Sequence, residues 1–121
     1  MANRRSAEGP LDLEEIIRRS PAIAFIWRAE PGWPVEYVSA SIRQLGYEPE
    51  DLLSGRRSFA SIVHSDDLAR VAAEVARYTA EGRDEFEQEY RLLTAAGEVR
   101  WVDDRTWVRR SPAGKAEHYQ G

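Results

Sequence analysis

At 121 residues, with 42% hydrophobic side chains, four tryptophans and five tyrosines, the chain reads as one folded domain that buries about two thirds of its unfolded surface. A formal charge of −4 gives no broad basic footprint for nucleic acid, no apolar run approaches the roughly 18 residues that span a bilayer, and no hydrophobic signal segment opens the chain. Cysteine is absent, which removes disulfides, a thiol nucleophile and thiolate metal sites, and the compartment reading is cytoplasmic.

Met1–Pro10 is polar and reads as a disordered or tag-like tail. Leu11–Ser20 (LDLEEIIRRS) sets Leu13, Ile16 and Ile17 on one helical face, with acids early and Arg18 and Arg19 late to suit the dipole; Pro21 ends it. So short a helix needs a surface to pack on. It either caps its own sheet or packs across a dimer, which makes Leu13, Ile16 and Ile17 candidate interface residues.

Ala22–Ala29 is a nearly continuous apolar run and is expected as a buried strand. Glu30-Pro31-Gly32-Trp33-Pro34 makes a turn into a second strand, Val35–Ser39. Ser39 then caps a very short helix that stops at Gly46, and Glu48–Gly55 repeats the pattern with proline at its start and glycine at its end. A loop holding Phe59 and Ile62 leads to His64-Ser65-Asp66-Asp67. There Ser65 is read as the N-cap of the longest helix, whose inward stripe is Leu68, Val71, Val75 and Tyr78 and whose stop is Gly82.

Three strand-like runs complete the chain. In DEFEQEYRLL, Phe86, Gln88, Tyr90 and Leu92 alternate with charged residues, the period of a half-buried strand. Val99–Arg109 returns after Thr94-Ala95-Ala96-Gly97, and a last run starts at Lys115 after Ser111-Pro112-Ala113-Gly114. A two-residue turn at Ala95-Ala96 would set Tyr90 opposite Trp101, whereas a bulge at Gly97 would turn Val102 to the tyrosine's side. The order strand, strand, three helices, three strands points to an α+β fold, a single antiparallel sheet with helices laid on one face.

Four stretches in order resemble the PAS family, in the subtype whose second half carries the PAC motif. They are Val35–Ser39 running to Leu45-Gly46-Tyr47, then Pro49-Glu50-Asp51-Leu52-Leu53 with Gly55, then His64–Val71, and finally Glu89–Leu92 with Gly97–Val102 and Gly114. The resemblance covers about residues 22–121 and departs at Ser65, where the family has proline. It implies a five-stranded antiparallel sheet with short helices on one face and an N-terminal capping helix, PAS domain over 21–121, with a last strand that stops short of the family's length at Gly121. It also implies a regulatory input and dimerisation module for a C-terminal output domain of kinase or cyclic-dinucleotide type. The alternative it carries is a module that holds a small molecule between sheet and helices. Candidates for that pocket are Phe25, Trp27, Tyr37, Ile42, Tyr47, Phe59, Val75, Gln88 and Tyr90, alongside the core positions Leu45, Leu52, Val71 and Phe86.

No cofactor is expected. Cysteine-adduct flavin is excluded by the absence of cysteine, and haem is disfavoured because His64 sits at a helix N-terminus and His118 near the chain end. Asp103 and Asp104, adjacent on a strand, face opposite ways and cannot converge on one substrate. With no nucleophile–base set and no phosphate loop in view, the residues do not read as an enzyme.

Overall fold

A computed structural model describes residues 21–121. The sequence-predicted helix over 11–20, with Leu13, Ile16 and Ile17, lies outside them.

Two short strands open the fold, β1 (Phe25–Arg28) and β2 (Val35–Val38). They pair antiparallel with a bulge at Ile26/Trp27, which leaves Phe25, Trp27, Val35 and Val38 buried while Glu36 and Tyr37 both face out. A 3-10 helix over Ala40–Leu45 follows and ends on Gly46, whose φ of 87° supplies the left-handed stop. Ser39 does not cap this helix with its side chain: its Oγ instead accepts the Ala24 amide at 2.9 Å and so pins β1 to the helix start.

Helix α1 (Pro49–Leu53) starts on proline, and Asp51 Oδ2 accepts the Glu48 amide at 3.0 Å. The segment read as a loop around Phe59 is a single helical turn, α2 (Phe59–Ile62), capped by Ser58 Oγ on the Ser61 amide. The long helix α3 (Ser65–Ala80) corrects a second expectation. Its cap is His64, whose Nδ1 accepts the Asp66 amide at 3.0 Å, and Ser65 is already helical.

Strands β3 (Glu85–Leu93), β4 (Val99–Arg110) and β5 (Ala116–Gln120) complete a five-stranded antiparallel sheet in the order β2-β1-β5-β4-β3. The β3–β4 register resolves the alternatives left open by the sequence. Thr94 accepts the Gly97 amide and donates its own to Glu98, Gly97 takes a φ of 85°, and Tyr90 pairs with Val102. That bulged turn sends Val102, Asp104 and Thr106 to the inner face and Trp101, Asp103, Arg105 and Trp107 to the outer one.

The core lies between the inner face and the helices. Tyr90, Ile42, Leu52 and Ile62 are its most enclosed side chains, each contributing about 1.5–3 kcal/mol of burial. Strand β3 is an edge strand, and the start of α3 covers its free side. His64 donates its amide to Arg91 O, Asp67 accepts the Arg91 amide, and Arg70 reaches Glu89 O at 2.8 Å. On the far side of β4, strand β5 pairs only from Trp107 onward, so among the described residues Val102–Thr106 has no strand neighbour there. A cleft of about 400 Å³ lies between that stretch and Pro21–Ile23.

Candidate functional site

A small cavity of about 30 Å³ lies between the middle of the sheet and α3, room for a water or two. Its walls come from every layer: Trp27 on β1, Phe59 on α2, Val71 and Val75 on α3, Phe86, Gln88 and Tyr90 on β3, Asp104 and Thr106 on β4, Tyr119 on β5, and Trp33 from the β1–β2 turn. Of the nine pocket residues singled out in the sequence, Trp27, Phe59, Val75, Gln88 and Tyr90 meet here. Phe25 stacks on Trp27 with ring centroids 4.9 Å apart, but lines the neighbouring cleft instead. Ile42 is core packing, and Tyr47 donates its hydroxyl to Leu93 O at 2.6 Å away from the cavity. Tyr37 does not line it: the extra residue of β2, Glu36, opposite the Ile26/Trp27 step leaves it on the outer face, 37% exposed.

Asp104, Thr106, Tyr119 and Trp33 were not read as lining residues. The first two follow once the bulge at Gly97 fixes the parity of β4. Tyr119 and Trp33 carried no such signal, being on a short last strand and in a turn.

The polar groups of the cavity form a set. Tyr90 donates to Asp104 Oδ2 at 2.6 Å, and Thr106 donates to Oδ1 at 3.0 Å. Burial pushes the Asp104 carboxyl up from its ordinary value against these two bonds, and burial with the Asp104 charge beside it pushes the Tyr90 phenol well up. Gln88, buried among apolar neighbours, finds its partners on α3: Nε2 donates to Val71 O at 3.2 Å and to Glu74 Oε1 at 3.1 Å. Tyr119 shares a hydrogen bond with Thr79 at 2.8 Å. One group is left over. The Trp27 indole N–H is buried with no partner, the single such side-chain atom among the described residues.

A second constellation joins α3 to β3. Arg91 grips Asp67 in a fork, Nε to Oδ2 at 2.9 Å and Nη2 to Oδ1 at 2.7 Å, and lies over the Trp101 ring at 5.1 Å. The Arg91 guanidinium holds the Asp67 carboxyl well below the usual carboxylate range. The outer face beyond it is apolar at several points: Trp101 is 63% exposed and Trp107 46%, with Val99 and Tyr37 also open. Asp103 lies on this face and Asp104 on the other, so the two carboxylates do not converge.

Residues 35–121 match the family model described as the PAS fold. The methyl sulfide methyltransferase-associated sensor of Methanosarcina acetivorans is 54% identical over 110 residues, which are 91% of this chain but only 11% of that relative's length. A sensory box histidine kinase/response regulator from Burkholderia thailandensis superposes with a TM-score of 0.66 at 27% identity, covering 94% of this chain and 80% of that one. The N-terminal domain of a diguanylate cyclase with PAS/PAC sensor from Marinobacter aquaeolei gives 0.68 at 23% identity, over 82% of this chain and 89% of that one. An RNA-binding light-oxygen-voltage receptor gives 0.73 at 19%, over all of this chain and 34% of that one. At 23% and 19% identity these last two share the fold alone.

Proposed function

The chain belongs to the PAS family, and from that premise we propose that it is a non-catalytic sensory input module that dimerises and biases an output domain of kinase or cyclic-dinucleotide type in a larger cytoplasmic protein. The observation that carries this reading is the exposed apolar outer face. Trp101 and Trp107 stand open to solvent on the same strand that sends Asp104 and Thr106 into the cavity. A sheet that is core on one side and sticky on the other is suited to pass a change in packing outward. The dimer would form with Leu13, Ile16 and Ile17 of the N-terminal segment against that face of the partner. Sedimentation of the whole chain tests it. The wild type is expected to run as a dimer and Ile16→Asp/Ile17→Asp as a monomer, with the dimer constant weakened at least about tenfold, the loss of some 1.4 kcal/mol. A double variant that stays dimeric removes the segment from the interface.

A second reading is favoured by the partnerless, buried N–H of Trp27, a residue that lines the cavity: the input is a small molecule held between sheet and helices. Native mass spectrometry of protein prepared without added ligand tests it, a retained excess mass supporting it.

A further inference from the structure

The β1–β2 turn carries the one non-glycine residue with positive φ among those described, Trp33 at 52°. A bulky side chain in the left-handed region is an outlier, and here it directly precedes Pro34, which further restricts the backbone. Backbone held in a sparsely populated region persists where its surroundings over-determine it. In this turn the Trp33 amide donates to Glu30 O at 2.9 Å, Ala60 donates to Gly32 O, and the indole meets Phe59 edge-on at 6.4 Å.

What that strained residue separates is informative. On its inner side Trp33 lines the cavity beside Trp27 and Gln88; on its outer side it lines a surface groove of about 460 Å³ between the turn and α3. Ala29, Ala60, Ala72 and Ala76 contribute only methyl groups to its wall, beside the larger Pro31 and Leu68. Val75 and Tyr119 border both spaces as well.

We propose that groove and cavity are two halves of one binding site for a neutral, mostly apolar small molecule bearing a hydrogen-bond acceptor, and that Trp33 is the door between them. The ligand class follows from the walls. The charged groups that face the two spaces are carboxylates, Glu30 at the groove and Asp104 inside, which repel an anion. Asp104 already accepts two hydrogen bonds, while the unmet need is an acceptor for the Trp27 N–H. This deepens the small-molecule reading and rests on it.

Acetophenone, aromatic, neutral and with one carbonyl, is the probe. It is titrated into the wild-type chain, Trp33→Ala and Trp33→Gly while the Trp27 indole signal is followed by 1H–15N NMR, the four indole peaks being assigned by single Trp→Phe replacements. Glycine is at home at this φ, so Trp33→Gly keeps the test intact if the alanine variant folds poorly. A saturable shift of the Trp27 N–H is expected in each, with entry at least about tenfold faster in the variants, since a door open for about a tenth of the time slows binding by that factor. Equal entry rates in all three overturn the door and leave the small-molecule reading standing. A shift confined to Ala60 and Ala72 overturns the joined site in favour of a surface groove. No shift anywhere, with a retained mass in the native spectrum, overturns this ligand class; no shift and no retained mass overturn both readings.

Discussion

At the scale of single residues, two carboxylates work in opposite senses. Asp67 has its folded pKa depressed by Arg91, so its contribution is fully present above the unfolded value of about 3.9 and is lost as pH falls below that. Asp104 has its folded pKa raised, so the folded state binds its proton more tightly than the unfolded chain does. Its charge therefore costs stability above the folded pKa, and the cost fades as pH falls towards about 4. Asp104→Asn keeps the shape and can still accept from Tyr90 and donate to Thr106, but carries no charge. The urea midpoint of this variant is expected to exceed the wild type's at pH 7, the gap closing as pH drops towards 4. Below that both should fall along a shared acid limb set by Asp67. A lower midpoint at pH 7 would show that the Asp104 charge is compensated by a cation the described geometry does not contain. None of this is visible in the dipeptide Asp103-Asp104 itself. Alternation told that the two diverge, but which one turned inward depended on a turn several residues away.

At the scale of elements, the sequence was most legible where a period or a turn residue had a single reading. The alternation of β3, the apolar run of β1 and the glycine stops at Gly46 and Gly82 each point to one structure, and the elements lie where the pattern placed them. It was least legible where two residues competed for one role. His64 outcompetes Ser65 as the cap of α3 because its ring nitrogen reaches the Asp66 amide from one position earlier. Four residues around Phe59 were too few to show a helical period, although Ser58 was there to cap them. The hairpin is the most consequential case. Its register depends on Gly97 taking a φ of 85°, with open space where a Cβ would stand, so a substitution there meets backbone strain and no clash. Gly97→Ala is expected to cost about 1–2 kcal/mol, read as a lower urea midpoint with an unchanged slope. A variant that loses dispersion of its inner-face Val102 and Asp104 signals in NMR would instead mean that the register has slipped.

At the scale of the whole molecule, the arrangement that organises the rest is a sheet with two dissimilar faces joined through β4. The fold class followed from the succession of elements and the family resemblance gave the five strands, whereas the strand order, with β1 beside β5, came only from the structure. The site was only half legible, because its lining draws on positions from six elements and a turn that converge only in three dimensions. Tyr37 shows the limit: it was expected in the pocket, and a single extra residue in β2, Glu36 opposite the Ile26/Trp27 step, puts it outside. Strand β4 is where the two faces meet. Thr106 is buried and bonded to Asp104, and its neighbour Trp107 is exposed on the other side, opposite Gln120 of β5. A change in the cavity that shifts Thr106 must tilt the backbone carrying Trp107, since adjacent strand residues share one peptide plane. Thr106→Val replaces the hydroxyl by a methyl of similar shape and leaves Asp104 Oδ1 short of its donor, at about 1–3 kcal/mol. If the faces are coupled, this buried change should weaken the dimer several-fold and shift the Trp107 indole signal, although no dimer contact has been touched. Trp107→Glu serves as the direct control and should weaken the dimer at least as much while leaving the Trp27 signal in place. A Thr106→Val chain that loses stability but keeps its dimer constant and its Trp107 signal would mean that the cavity and the outer face are independent. The sheet would then be a scaffold, and a cue would have to leave the domain by a route other than its outer face.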